Sequence, residues 1–166
     1  MNRKRALVLA TALTAGLITW GVLPSAAQVP IFAEPLTPRA EFTDDVNLKV
    51  KVSYGGKTEV VMADDPSTTA VVKYTIQPGA QFPWHSHAGP VVVNVVQGSL
   101  VYVGADDCVE HEYQTGTAFV DLGHGHVHSA YNPSGTGETV LVATFFEAPA
   151  SGPLLIPAPA ASCVLP

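Results

Sequence analysis

Five of the six histidines fall in two clusters. His85-Ser86-His87 and the series His124, His126, His128 each repeat at a spacing of two, which on an extended chain puts the side chains on one face. Imidazole is a strong ligand for divalent zinc, copper, iron and nickel. Two strands of one barrel could therefore bring His85, His87 and His128 around a single ion. A His-x-His pair alone is weak evidence, because histidines also gather by chance in Gly- and Pro-rich loops. His124 and His126 stay open between two roles: a fourth ligand or proton shuttle, or solvated residues of a Gly-rich turn. His111, between Glu110 and Glu112, reads as a surface residue of an acidic loop beside Cys108.

The flanking residues sharpen this. Gly79, five residues, His85-Ser86-His87 and then Gly98 are followed by Gly125, two residues, His128, three residues and Asn132. In this order and spacing, residues 46–147 resemble the two motifs of the cupin superfamily. The resemblance implies an all-β fold, a double-stranded β-helix or jelly-roll barrel. It also implies one divalent metal ion (Zn, Mn, Fe, Cu or Ni) on His85, His87 and His128.

Two departures from the family pattern matter. Val91 stands where the pattern carries a metal-binding Glu, and Gly123-His124-Gly125 stands in place of its Pro-x-Gly turn. The implied site is three histidines with positions open to water or substrate. Three neutral imidazoles leave a divalent ion its full +2 charge, which lowers the pKa of bound water and favours an anionic or enolate-like oxygen ligand. Val91, Val93 and Val95 alternate on one face, so the walls should be apolar and suited to a small organic oxyanion.

Two function classes follow. One is a metal-dependent enzyme of dioxygenase-like chemistry on a small enolisable or phenolic substrate. The other is a non-catalytic barrel that binds a small ligand or keeps its metal for structure. No acid/base residue stands beside the histidines in sequence. Asp121 and Glu147 are remote candidates, so catalytic residues stay unassigned.

The elements that must position the histidines are short strands. Residues 46–52 alternate apolar and polar strictly, 58–62 form a second run, and Val72, Tyr74 and Ile76 share a face opposite Lys73 and Thr75. The run 91–96 is apolar on both faces, which predicts a strand covered from two sides and points to a homodimer through one sheet. Residues 99–103, 117–122, 126–131 and 139–146 complete the series, with Gly- and Pro-rich turns between them. No helical period appears beyond the N-terminal segment. Many short, closely spaced strands without an internal repeat mean one sandwich or barrel.

The ends read differently. Residues 1–27 carry a basic start, an uncharged apolar run from Ala6 to Leu23, and Pro24-Ser25-Ala26-Ala27 before Gln28, which predicts a cleaved signal peptide and an extracytoplasmic, secreted domain without stable membrane insertion. An uncleaved anchor helix is the competing reading, since the run approaches spanning length. Residues 28–45 read as an extended N-terminal arm, 46–147 as the barrel, and 148–166 as a Pro/Ala-rich tail. The formal charge of -6 becomes -9 once Arg3, Lys4 and Arg5 are removed, leaving 5 basic and 14 acidic residues. Such a surface repels phosphate backbones, so nucleic acid is a poor partner. A small molecule fits better. The two cysteines, Cys108 and Cys163, favour a disulfide in an oxidising compartment; two free thiols or soft metal ligands is the alternative. A bridge would close 54 intervening residues, for which loop entropy gives ~4 kcal/mol, and would strap the tail along the barrel.

Overall fold

The computed structural model describes residues 30–166 apart from residues 55, 64, 65 and 67; the expected signal peptide at 1–27 lies outside the described residues. The strands are β1 (Ile31–Pro35), β2 (Ala40–Glu41), β3 (Leu48–Tyr54), β4 (Lys57–Ala63), β5 (Thr68–Ile76), β6 (Gln81–Ser86) and β7 (Val91–Gln97). After these come β8 (Ser99–Gly104), β9 (Glu110–Gln114), β10 (Ala118–Asp121), β11 (His128–Tyr131), β12 (Thr139–Phe145) and β13 (Ile156–Pro157). Among the described residues no helix is long and apolar enough to cross a membrane.

One sheet runs β1-β5-β12-β7-β10, with β2 pairing β5 at its edge; a second runs β13-β6-β11-β8-β9; β3 and β4 form a separate hairpin. Neighbours in each sheet are mostly distant in sequence, so the chain crosses between sheets repeatedly, as in a jelly roll. The alternation seen in sequence sets the two faces. Ala70, Val72, Tyr74 and Ile76 of β5 and Leu141, Ala143 and Phe145 of β12 point inward, where they meet Phe82, Val91, Val93 and Leu100. Burying each large aliphatic or aromatic side chain here contributes about 1.5–3 kcal/mol. Tyr74 packs edge-on against Phe82, with ring centroids 5.5 Å apart, and its hydroxyl pKa is pushed up to about 12 by burial.

The run 91–96 corrects one expectation. Val91, Val93 and Val95 are buried, but Val92 is half-buried and Val96 is 53% exposed. Among the described residues, nothing covers that end of the outer face. Two strands carry too little apolar pattern to stand out in sequence. In β1, which pairs residue for residue with β5 from Ile31↔Ile76 to Pro35↔Val72, four of five residues are exposed. β9 alternates exposed Glu110, Glu112 and Gln114 with half-buried His111 and Tyr113. Both are sheet edges, where charge discourages pairing with other chains. His111 therefore lies on a strand, opposite Tyr102, and not in a solvated loop.

The tail wraps the outside of the second sheet. Ala161, Cys163 and Leu165 pack on Trp84, Val101 and Val103, which face away from the barrel interior and form a small second core. Cys108 and Cys163 are disulfide-bonded, with Cα atoms 5.3 Å apart. The tail is a strap, as the cysteine count suggests.

Candidate metal centre

β6 and β11 lie side by side in the second sheet, and their pairing sets His128 directly opposite His85. His87 follows one residue beyond the end of β6, on the same side as His85. Each of the three is buried, with His85 and His128 both 4% exposed. The ring centroids are 4.9 Å apart for His85–His87, 4.2 Å for His85–His128 and 5.2 Å for His87–His128. One ring nitrogen from each lies within 4.8 Å of the others, a group that could hold a metal ion.

The hydrogen bonds say which nitrogen that is. Nδ1 of His85 sits 2.7 Å from the Pro83 carbonyl, and Nδ1 of His87 sits 2.9 Å from the Leu154 carbonyl. Nδ1 of His128 is 3.1 Å from Asp121 Oδ2 and 3.4 Å from the His126 carbonyl. All these partners are acceptors, so each Nδ1 carries the proton and donates. Each Nε2 is left with a bare lone pair. This outer ring of acceptors is how ligating imidazoles are fixed in tautomer and orientation.

The electrostatics favour the neutral form of two of the rings, His85 and His128. Burial lowers the His85 pKa to about 3, helped by the neighbouring His128. Burial also lowers that of His128, against the opposing pull of Asp121. Neutral imidazole is the ligating form.

Asp121 is the residue that sequence reading placed too far away. It is 2% exposed and meets His128. The Tyr102 hydroxyl donates to its Oδ2 at 2.8 Å, and the Gly123 amide donates to its Oδ1 at 2.9 Å. Tyr102 also stacks on the His128 ring, with centroids 4.8 Å apart. The available signal was an Asp closing the apolar run Ala118-Phe119-Val120, where a buried charge needs a partner. Leu154 carried no such signal, since its contribution is a main-chain carbonyl.

The other candidates lie elsewhere. His124 pairs with Glu147 through Nε2, so Glu147 is engaged away from the three histidines. His126 Nε2 is 3.6 Å from Glu59 on β4, linking the hairpin to the 122–127 turn. Both line a wide groove of about 820 Å³ beneath the hairpin, together with His111. Val91 lies against the histidine cluster as an inward-facing wall, with Val93, Phe145 and Leu155 beside it. The turn before His128 requires its glycine: Gly123 has φ +63°, and a Cβ there would overlap the Gly89 carbonyl. Gly123 thus lets the turn pack against the segment just after His87.

Two facing sheets in jelly-roll order, with histidines from adjacent strands turned into the barrel, decide the fold. It is a double-stranded β-helix barrel. No family model matches the sequence, and no curated protein matches it. Solved structures similar to this chain include a conserved protein with a double-stranded β-helix domain from Klebsiella pneumoniae, at 20% identity over 54% of this chain and 76% of that one, TM-score 0.45. Another is the polyketide cyclase RemF from Streptomyces resistomycificus, at 19% identity over 57% and 63%, TM-score 0.45. A third is a cupin superfamily protein from Desulfitobacterium hafniense, at 9% identity over 64% and 83%, TM-score 0.42. The identities are low, and the chemistry of this barrel has to be argued from its own residues.

Proposed function

We propose that this protein is an exported cupin that holds one divalent metal ion on His85, His87 and His128 and binds a small organic molecule to that ion through an oxygen atom. The observation that carries the reading is the ring of acceptors on the three Nδ1 atoms, which leaves each Nε2 free to ligate, in three buried residues whose ring nitrogens come within 4.8 Å of one another. A bound ion would supply Lewis acidity, polarising an oxygen ligand and lowering the pKa of bound water. The chain's own residues orient the three imidazoles and keep the surroundings dry: Val91, Val93, Leu141 and Phe145 wall the cavity. Three protein ligands leave coordination positions open, unlike closed four-ligand structural zinc sites. The Cys108–Cys163 bond and the signal-like N-terminus support export into an oxidising compartment.

Dioxygenase-like turnover of a small phenol or diketone is the catalytic form of this reading. A specific observation favours the non-catalytic form beside it. Both Asp121 oxygens are already committed. Asp121 is thus placed to orient His128 rather than to take a proton from substrate. Metal analysis of the purified mature protein, followed by oxygen-uptake screening with small phenols and diketones, separates the readings. Near-stoichiometric metal with oxygen uptake supports an enzyme, and metal without turnover supports a binding protein. A protein that stays metal-free in excess zinc, copper, manganese and iron overturns both.

A further inference from the structure

The tail reaches the metal centre as well as the outer face of the barrel. Leu154 accepts the hydrogen bond from His87 Nδ1 across a separation of 67 residues, and the Leu155 side chain forms part of the cavity wall. His85 and His128 take their acceptors from Pro83, Asp121 and His126, none of which belongs to the tail. The three ligands therefore differ in what holds them.

The segment bearing Leu154 is pinned on both sides. Before it, the Arg39 guanidinium donates to the Pro149 and Gly152 carbonyls. After it, Ile156 and Pro157 pair with Ser86 and His85 of β6, the Ala158 amide donates to the Trp84 carbonyl at 3.0 Å, and Cys163 is bonded to Cys108. A Pro- and Ala-rich segment has little tendency to hold this shape by itself. A two-residue ladder is a weak anchor, so the disulfide, which keeps Ala161, Cys163 and Leu165 on their apolar patch, secures the C-terminal side.

We propose that the disulfide-anchored strap is a working part of the metal centre, with the Leu154 carbonyl as the positioning group that fixes the tautomer and aim of His87. This rests on the reading of the three histidines as a metal site. With the strap docked, Nδ1–H of His87 is held and Nε2 points to the ion. With the strap released, His87 can rotate or exchange tautomers, and water gains the position vacated by Leu155. Loss of an outer-shell partner of this kind costs about 10–100-fold in metal affinity.

The test uses the full chain with both C-terminal anchors weakened, C108S/C163S/A158P, against wild type. Two quantities are measured: the zinc dissociation constant by competition with a chelator, and the ¹⁵N resonances of the histidine side chains in the zinc-free protein. We expect zinc binding about 10–100-fold weaker and loss of the Nδ1–H form of His87, while His85 and His128 keep theirs. All three resonances changing together would mean general unfolding and would count against a positioning role. Unchanged affinity with an unchanged His87 resonance overturns the proposal. Absence of zinc binding by wild type, with the selective His87 change still seen, sinks the metal reading and leaves the strap's hold on His87 standing.

Discussion

Asp121 lies directly across the β7–β10 pair from Val91, the position where the cupin pattern carries its metal-binding carboxylate. This protein has a carboxylate at the site, contributed by the adjacent strand and one layer further out. Asp121 meets His128 Nδ1 at 3.1 Å instead of standing among the three converging imidazoles. An ion on the three histidines would keep its full charge toward a bound oxygen. The negative charge would act through His128, by making that imidazole a better donor.

Asp121→Asn should weaken zinc binding by about 10–100-fold without removing a ligand. The amide can present its NH₂ to His128 Nδ1, which favours the wrong tautomer. Competition titration with a chelator measures the affinity, and the His128 ¹⁵N resonances report the tautomer. Wild-type affinity in this variant would mean that Asp121 does not orient His128.

His85→Ala, His87→Ala and His128→Ala should each abolish near-stoichiometric binding, since two imidazoles remain. His111→Ala and His124→Ala should bind as wild type, because neither residue belongs to the converging group. Elemental analysis after desalting reads the outcome. Loss of metal in His111→Ala would move the site into the groove beneath the hairpin.

Val91→Glu tests the correspondence with the cupin pattern. Val91 is 1% exposed and faces the histidines, so a carboxylate there should ligate the ion and tighten binding. Without metal it would be a buried charge opposite buried Asp121, which is costly. The chelated variant should melt roughly 5 °C or more below chelated wild type, with zinc raising its melting temperature by more than it raises that of wild type. Destabilisation with no gain on adding zinc would show that residue 91 does not reach the ion.

Reducing the Cys108–Cys163 bond should destabilise the fold by about 2–4 kcal/mol and expose Trp84, which the strap covers. Denaturant unfolding followed by tryptophan fluorescence, with and without reductant, measures both. Identical curves would mean that the strap contributes no stability.

Sequence determined the all-β class and the common face of His85 and His87 because both are written in local spacing, while the jelly-roll order and the place of His128 beside them were implied by the resemblance to the cupin motifs. Period-two alternation at 70–76 and 139–145 sorts residues into core and solvent before any contact is known. The i, i+2 spacing of His85 and His87 puts them on one side of an extended chain. The even cysteine count beside a signal-like N-terminal segment points to the bond between Cys108 and Cys163. Tertiary structure alone decided the rest. That Asp121 supports His128 depends on β10 pairing with β7 and on Tyr102 lying over the same ring. That Leu154 holds His87 depends on where the tail crosses β6. That Val96 is exposed depends on what lies over β7. Each of these is a meeting of residues far apart in the chain, and in the tail it is made by a carbonyl that every residue possesses. Side-chain type and spacing carry no record of such a contact, because its geometry exists only once both sheets and the strap are in place.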